Sequence, residues 1–250
     1  IAGIFSLGAI GCYLLCYFMT TERVKIAPTH HEEQVSFKET VKALVSNRAL
    51  LGIIAAAILL LLASLMTQSV NQYVFVDYFK NKEALAVMSI AGILPMLLMA
   101  PFTVPITRKY GKKEVGAVGC ILGGIASLLM FVLQVKSAAV YIAISVIGYF
   151  GFGFFNLIIW AFITDIIDDQ EVRTGKREDG TIYAVYSFAR KIGQALSGGL
   201  GAYALALVGY DSSVQVQTAE VAGGIYNVAT LVPGILYIGV GLCLIFIYPL

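Results

Sequence analysis

Charge is the scarcest commodity in this sequence. Asp, Glu, Lys and Arg make up 13% of its 250 residues, about half of the ~25% usual in a soluble domain. So little charge cannot cover a globule in water, which excludes an ordinary soluble enzyme or binding module. Histidine is rarer still. His30 and His31 are neighbours in a polar stretch and read as a solvated pair rather than metal ligands. The four cysteines, Cys12, Cys16, Cys120 and Cys243, all lie inside apolar stretches. They read as buried thiols, not as a disulfide framework or a metal cluster. Alternating segments of about ten residues, the mark of a membrane β-barrel, are missing as well.

What the chain has instead is apolar sequence in long blocks. Hydrophobic residues reach 59% and the mean hydropathy is +0.85. Seven blocks can be marked, roughly 1–19, 49–76, 84–107, 115–135, 138–167, 181–208 and 226–248. Each is long enough to span a hydrocarbon core as a helix. Helix is the spanning form that satisfies every backbone group within one segment. The expected fold class is therefore all-α integral membrane, with about seven transmembrane helices. Ile1 is not an initiator methionine and 1–19 is already a full span. The chain is accordingly expected to continue upstream, and the apolar run up to Leu250 leaves the same expectation downstream.

The sparse charge is distributed with a strong bias. The connections 20–48, 108–114 and 168–180 hold twelve Lys and Arg, and the alternate connections hold three. Positive charge marks the cytoplasmic side. The first residue is thus expected outside, the basic connections and the C-terminus inside, in a cell membrane. The first loop, 20–48, is the longest and most polar. Within it Phe37, Val41, Leu44 and Val45 recur at helical spacing, which fits a short amphipathic surface helix; a plain linker is the other reading. This loop is the natural boundary between two bundles. The organisation read from it is a lone helix over 1–19, a cytoplasmic loop over 20–48 and a six-helix bundle over 49–250.

Candidate site residues concentrate between Thr164 and Leu200. Asp165, Asp168 and Asp169 close the fifth block; Arg173, Lys176 and Arg177 follow; the sixth block then carries Arg190 and Lys191. Lys191 lies roughly 15 Å along its helix at 1.5 Å per residue, near mid-bilayer. A charge there costs a few kcal/mol and is kept where it faces a bundle interior or an aqueous cavity. Snorkelling to the surface is the competing reading, and depth argues against it for Lys191. Arg190 points about 100° away, so the two cannot share one environment. Glycines 193, 198, 199 and 201 crowd the same block, as close helix packing requires. The second block carries Thr67, Gln68, Ser69, Asn71, Gln72 and Tyr73, able either to bind sugar hydroxyls or to join helices. Asn156 and Trp160 are four residues apart, on one helix face. An aromatic beside hydrogen-bonding groups suits a sugar ring, and a packing tryptophan is the plainer alternative. The short basic turn in Pro105–Glu114 reads as a clamp between two cytoplasmic helix ends.

Several motifs together resemble the glycoside–pentoside–hexuronide:cation symporters, the melibiose-permease-like branch of the major facilitator superfamily. They are Asp165-Ile-Ile-Asp168, Thr174-Gly175-Lys176-Arg177, and Tyr183 with Ser187-Phe188-Ala189-Arg190-Lys191-Ile192-Gly193. Thr21-Glu22-Arg23-Val24, Asn47-Arg48 and the closing Tyr248-Pro249-Leu250 add weaker matches. The resemblance runs over essentially the whole chain and implies helices six to twelve of a twelve-helix protein. It implies a sugar or glycoside substrate, a coupling Na+ or H+, and the N-terminal bundle of the same protein as partner. It implies no cofactor, no catalytic residue, no resident metal and no nucleic-acid partner. Lys191, Ser187, Tyr186, Arg190, Asn156, Trp160, Asn71 and Gln72 are the residues expected at the sugar and cation cavity. Asp165, Asp168 and Arg177 are expected in a cytoplasmic salt-bridge gate. Ser187, Tyr186 and Asn156 differ from the residues of the melibiose permease, so melibiose itself is not implied. Two other readings stand beside this one. Asp165-x-x-Asp168-Asp169 resembles the Mg²⁺–diphosphate motif of membrane prenyltransferases, but the second acidic cluster of such enzymes is missing. A helical module that dimerises without transporting is the other.

Overall fold

The structure is a computed structural model and describes residues 2–21, 45–175 and 177–250. The chain divides into two units, 1–40 and 41–250. In the first unit the described helix is α1, Ala2–Met19, which carries no charged residue. The amphipathic helix expected over 36–48 falls almost wholly outside the described residues; Val45 and Ser46 are helical.

The second unit is a bundle of six long helices. They are α2 (Arg48–Tyr73), α3 (Lys82–Tyr110), α4 (Lys112–Leu133), α5 (Ala138–Thr174), α6 (Asp179–Leu207) and α7 (Ala219–Leu242). Helices α2 and α7 each end in one π-helical turn, Val74–Tyr78 and Cys243–Ile247. There is no strand among the described residues. Five of the helices, with those turns included, are long and apolar enough to cross a membrane; α6 is not in that group. It has the length, at 29 residues, but its glycines, Gln194, Arg190 and Lys191 lower its apolarity.

Two boundaries differ from the sequence expectation, for local reasons. Helix α5 runs on past its apolar block through the acidic stretch to Thr174, because Gly175 (φ 68°) supplies the left-handed stop. Its amide returns to the Glu171 carbonyl at 2.8 Å, a common glycine C-cap. Helix α7 starts at Ala219, seven residues before its apolar block. Thr218 caps it by accepting from the Val221 amide at 3.3 Å, and Glu220 sits in the first turn, where a carboxylate suits the helix dipole.

Helix α4 packs between α5 and α7, α2 packs against α6 and α7, and α3 leans on α5. Glycine makes the α4–α5 approach: a Cβ at Gly119 would stand 2.3 Å from the Gly151 carbonyl oxygen. Such small-residue contacts replace the hydrophobic drive that lipid cannot supply. One buried cluster, with Ile53, Phe155, Phe162, Ile166, Ile182 and Tyr186, fills one half of the bundle. A second, with Val70, Phe75, Tyr141 and Tyr226, fills the other.

Candidate functional site

The described basic residues Arg48, Lys112, Lys113, Arg173 and Arg177 lie at one end of the bundle and are engaged there. Lys112, the first residue of α4, donates to Asp165 of α5 at 2.6 Å. Arg177 binds Asp168 at 3.1 Å and Glu171 at 2.7 Å through Nη1, and Asp179 at 2.9 Å through Nε. Asp169 pairs with Arg173 one turn on, at 2.8 Å. Arg177 thus ties the last turns of α5 to the first turn of α6. Glu171, then Asp179 and Asp168, hold its guanidinium above the usual arginine range. The expected gate residues Asp168 and Arg177 are brought together; Asp165 belongs to a separate clamp with Lys112. Deeper at this end, Asn47 donates to Gln170 at 2.7 Å and caps α2 by accepting from Leu50 at 3.0 Å.

The same end explains why Asn47-Arg48 and Tyr248-Pro249-Leu250 occur in one chain. Arg48 donates to the Phe246 carbonyl at 2.6 Å and Lys113 to the Tyr248 carbonyl at 2.7 Å. Both cations satisfy open carbonyls at a helix C-terminus, where the dipole favours them. Gly52 permits the contact, since a Cβ there would press on the Tyr248 backbone at 3.1 Å.

The candidate cavity wall is built on α5 and α6. At 3.6 residues per turn, Tyr183, Ser187, Arg190, Lys191 and Gln194 spread over about 100° of α6, with Arg190 and Lys191 at the two edges. They border one polar face, Arg190 beside the aromatic rings and Lys191 in the open. Tyr183, Lys191 and Gln194 are exposed there, with Ser187 and Arg190 half-buried. Asn156, Trp160 and Thr164 form an exposed stripe on α5 at four-residue spacing. Trp160 joins the two: its ring stacks on Tyr183 (centroids 5.6 Å apart, 22° between planes) and meets Tyr186 edge-on at 5.5 Å. The Arg190 guanidinium lies 5.3 Å from the Trp160 centroid and 5.9 Å from that of Tyr186, within cation–π reach. Lys191 sits roughly 18 Å from the start of α6 at 1.5 Å per residue and forms no ion pair among the described residues. A polar helix face exposed at this depth faces water or a further part of the protein, because lipid cannot solvate it.

Not every expected cavity residue is on that face. Asn71 is buried and accepts a 2.8 Å hydrogen bond from the Tyr141 hydroxyl, so it joins α2 to α5. Gln72, its neighbour, is exposed, as is Gln68 one turn earlier. Tyr186 is fully buried, and its hydroxyl has no hydrogen-bond partner among the described residues. The sequence reading gave no site role to Tyr183, Gln194, Lys112, Glu171 or Asp179. Tyr183 and Gln194 were legible as members of the Ser187 sector; the partners of Arg177 and Asp165 were not, because charge order along the chain does not say which pairs close. Among the described residues no three of His, Cys, Asp and Glu converge as a metal site.

Fold and site together define a polytopic helical membrane protein with one polar, open wall and a salt-bridged end. The chain belongs to the MFS/sugar transport protein family, which it matches over residues 1–250. It is similar to the glucuronide carrier protein homolog of Escherichia coli, 29% identical over 92% of this chain and 50% of that protein. It is 30% identical to a putative 2,3-dihydroxypropane-1-sulfonate exporter of Salmonella typhimurium, over 94% of this chain and 51% of that one. A putative glycoside/cation symporter of Escherichia coli, YagG, is 35% identical over 45% of this chain and 25% of its own length. The chain spans about half the length of the curated relatives it matches over most of its own length.

Proposed function

We propose that this chain is most of the C-terminal half of a sugar–cation symporter that works by alternating access. Helix α1 is then the last helix of an N-terminal bundle, 20–48 the central cytoplasmic loop, and α2 to α7 the second bundle. The observation that carries the reading is the polar wall of α5 and α6, open along a bundle whose family membership is shown. The missing bundle would face this wall and complete a midplane cavity, the usual position of transporter sites. In the same reading the end held by Arg177 and Lys112 is cytoplasmic, since it carries the basic connections.

The residues divide the work by position. Trp160 and Tyr183 offer aromatic faces to a sugar ring, and Asn156, Ser187 and Gln194 offer donors and acceptors to its hydroxyls. Lys191 pairs with an acidic cation site in the N-terminal bundle while that site is empty, and Na+ or H+ displaces it there. Loading opens the Asp168–Arg177–Asp179 network and releases sugar and cation inside. The bilayer in question is the cell membrane, with the C-terminus in the cytoplasm.

The test is transport by the full-length protein in proteoliposomes under an imposed Na+ or proton gradient. Sugar uptake that follows one of these gradients supports the reading. Lys191→Cys is expected to abolish or flatten the cation dependence. Unchanged cation dependence in that variant removes Lys191 from the coupling mechanism.

A further inference from the structure

Resting on the transporter reading above, we infer that the sugar is an acidic one, and that Arg190 holds its carboxylate or sulfonate group beside the Trp160 platform. The open wall carries charge of a single sign. Tyr183, Ser187, Gln194, Asn156, Trp160 and Thr164 are neutral, and the charged members are Arg190 and Lys191. The carboxylates that α5 and α6 do possess are gathered at the gate end, where Asp165, Asp168, Asp169, Glu171 and Asp179 are engaged by Lys112, Arg173 and Arg177. Among the described residues no carboxylate pairs with Arg190 or Lys191.

Arg190 is held rather than loose. Its guanidinium rests near the Trp160 ring at 5.3 Å and the Tyr186 ring at 5.9 Å, which positions it against the residue best suited to stack on a sugar. A planar fork of N–H donors matches a two-oxygen acid group better than single hydroxyls. When the cavity closes, a neutral sugar would leave the Arg190 guanidinium desolvated with no counter-charge from this wall, which is costly. A sugar acid supplies that charge at the place where the wall lacks it. The names of two relatives, a glucuronide carrier homolog and an organosulfonate exporter, agree with this chemistry independently of the geometry.

The experiment compares twin substrates in full-length protein reconstituted into proteoliposomes: labelled methyl glucuronide, the same sugar as neutral methyl glucoside, and a 6-sulfonated glucoside. The acidic sugars are expected to half-saturate uptake at concentrations at least about tenfold lower than the neutral twin, as a charged hydrogen-bonded contact implies. Comparison of the two acids assigns the group as carboxylate or sulfonate. Arg190→Gln is expected to collapse the acidic-over-neutral preference, and Arg190→Lys to restore part of it. Wild-type uptake of the glucoside at the same or lower concentration overturns the inference and leaves the sugar-transport reading standing. So does an Arg190→Gln variant that weakens both sugars in equal proportion, since that is the mark of a structural role. Uptake of none of the three sugars overturns both readings together.

Discussion

Gly119 shows how narrowly single residues are constrained in this bundle. A methyl group there would overlap the Gly151 carbonyl oxygen, and a backbone atom cannot swing aside as a side chain can. Gly119→Ala is expected to force α4 and α5 apart and to cost about 1–3 kcal/mol, the usual penalty of overpacking. Thermal unfolding of the purified protein in detergent measures it as a lowered Tm. Gly198→Ala is the control, because a Cβ there meets nothing within 4 Å, and its Tm is expected to stay within experimental scatter. The two glycines are indistinguishable as letters. The crowding of glycines in α6 pointed to all four as packing points, and the structure divides them. Gly193 and Gly201 approach α2, at Ile58 and Ser69, whereas Gly198 and Gly199 stand open.

At the scale of elements, the junction of α5 and α6 is the informative one. These helices touch sparingly, through Trp160 with its aromatic and cationic neighbours and through Arg177 at the end. Exposed ion pairs contribute little stability singly, so the Arg177 network is better understood as a latch than as a brace. Arg177→Gln is expected to leave Tm almost unchanged while opening the inner side. A Ser187→Cys reporter in the full-length protein should then react severalfold faster with a thiol reagent supplied from the cytoplasmic face; an unchanged rate would exclude the latch. The pH dependence follows from the sign of the shift. The folded-state pKa of Arg177 is raised by Glu171, Asp179 and Asp168, so its contribution is complete below the ordinary arginine range and is lost as pH climbs through the raised value. Between about pH 7 and pH 10, both below that range, the arginine side of the latch is expected to be constant, read as a flat contribution to the reporter's rate in wild type relative to Arg177→Gln.

For the whole molecule, orientation is the property with the widest consequences. In the proposed orientation, which rests on the charge bias of the connections, Ser213 lies outside and Gly175 inside. Single cysteines at these positions, in a background lacking Cys12, Cys16, Cys120 and Cys243, test it in intact cells. An impermeant maleimide is expected to label Ser213→Cys and to spare Gly175→Cys until the membrane is opened; the reverse pattern would invert the molecule and place the Arg177 latch outside. Ser213 suits the purpose because its loop is ordered by its own chemistry. Asp211 accepts from the Ser213 amide at 2.8 Å and hydroxyl at 2.7 Å, and those bonds hold its carboxyl below the usual value. The cysteine keeps the amide bond and loses the hydroxyl one.

Apolar block length was enough to determine that the chain is helical and membrane-spanning, because the hydrocarbon core sets both how long a span must be and that its backbone bonds close within it. The scarcity of charge made Arg190, Lys191 and the acidic end of α5 stand out as candidates for the same reason: polar groups in such a chain are costly and need a partner. Tertiary structure alone decided how those groups are paired. It turned Asn71 inward onto Tyr141 while leaving Gln72 exposed, gave Asp165 to Lys112 rather than Arg177, and set Arg48 on the carbonyl of Phe246, 198 residues away. These outcomes depend on where one helix lies against another, and that is settled by contacts such as Gly119 on Gly151, which no local pattern of residues encodes.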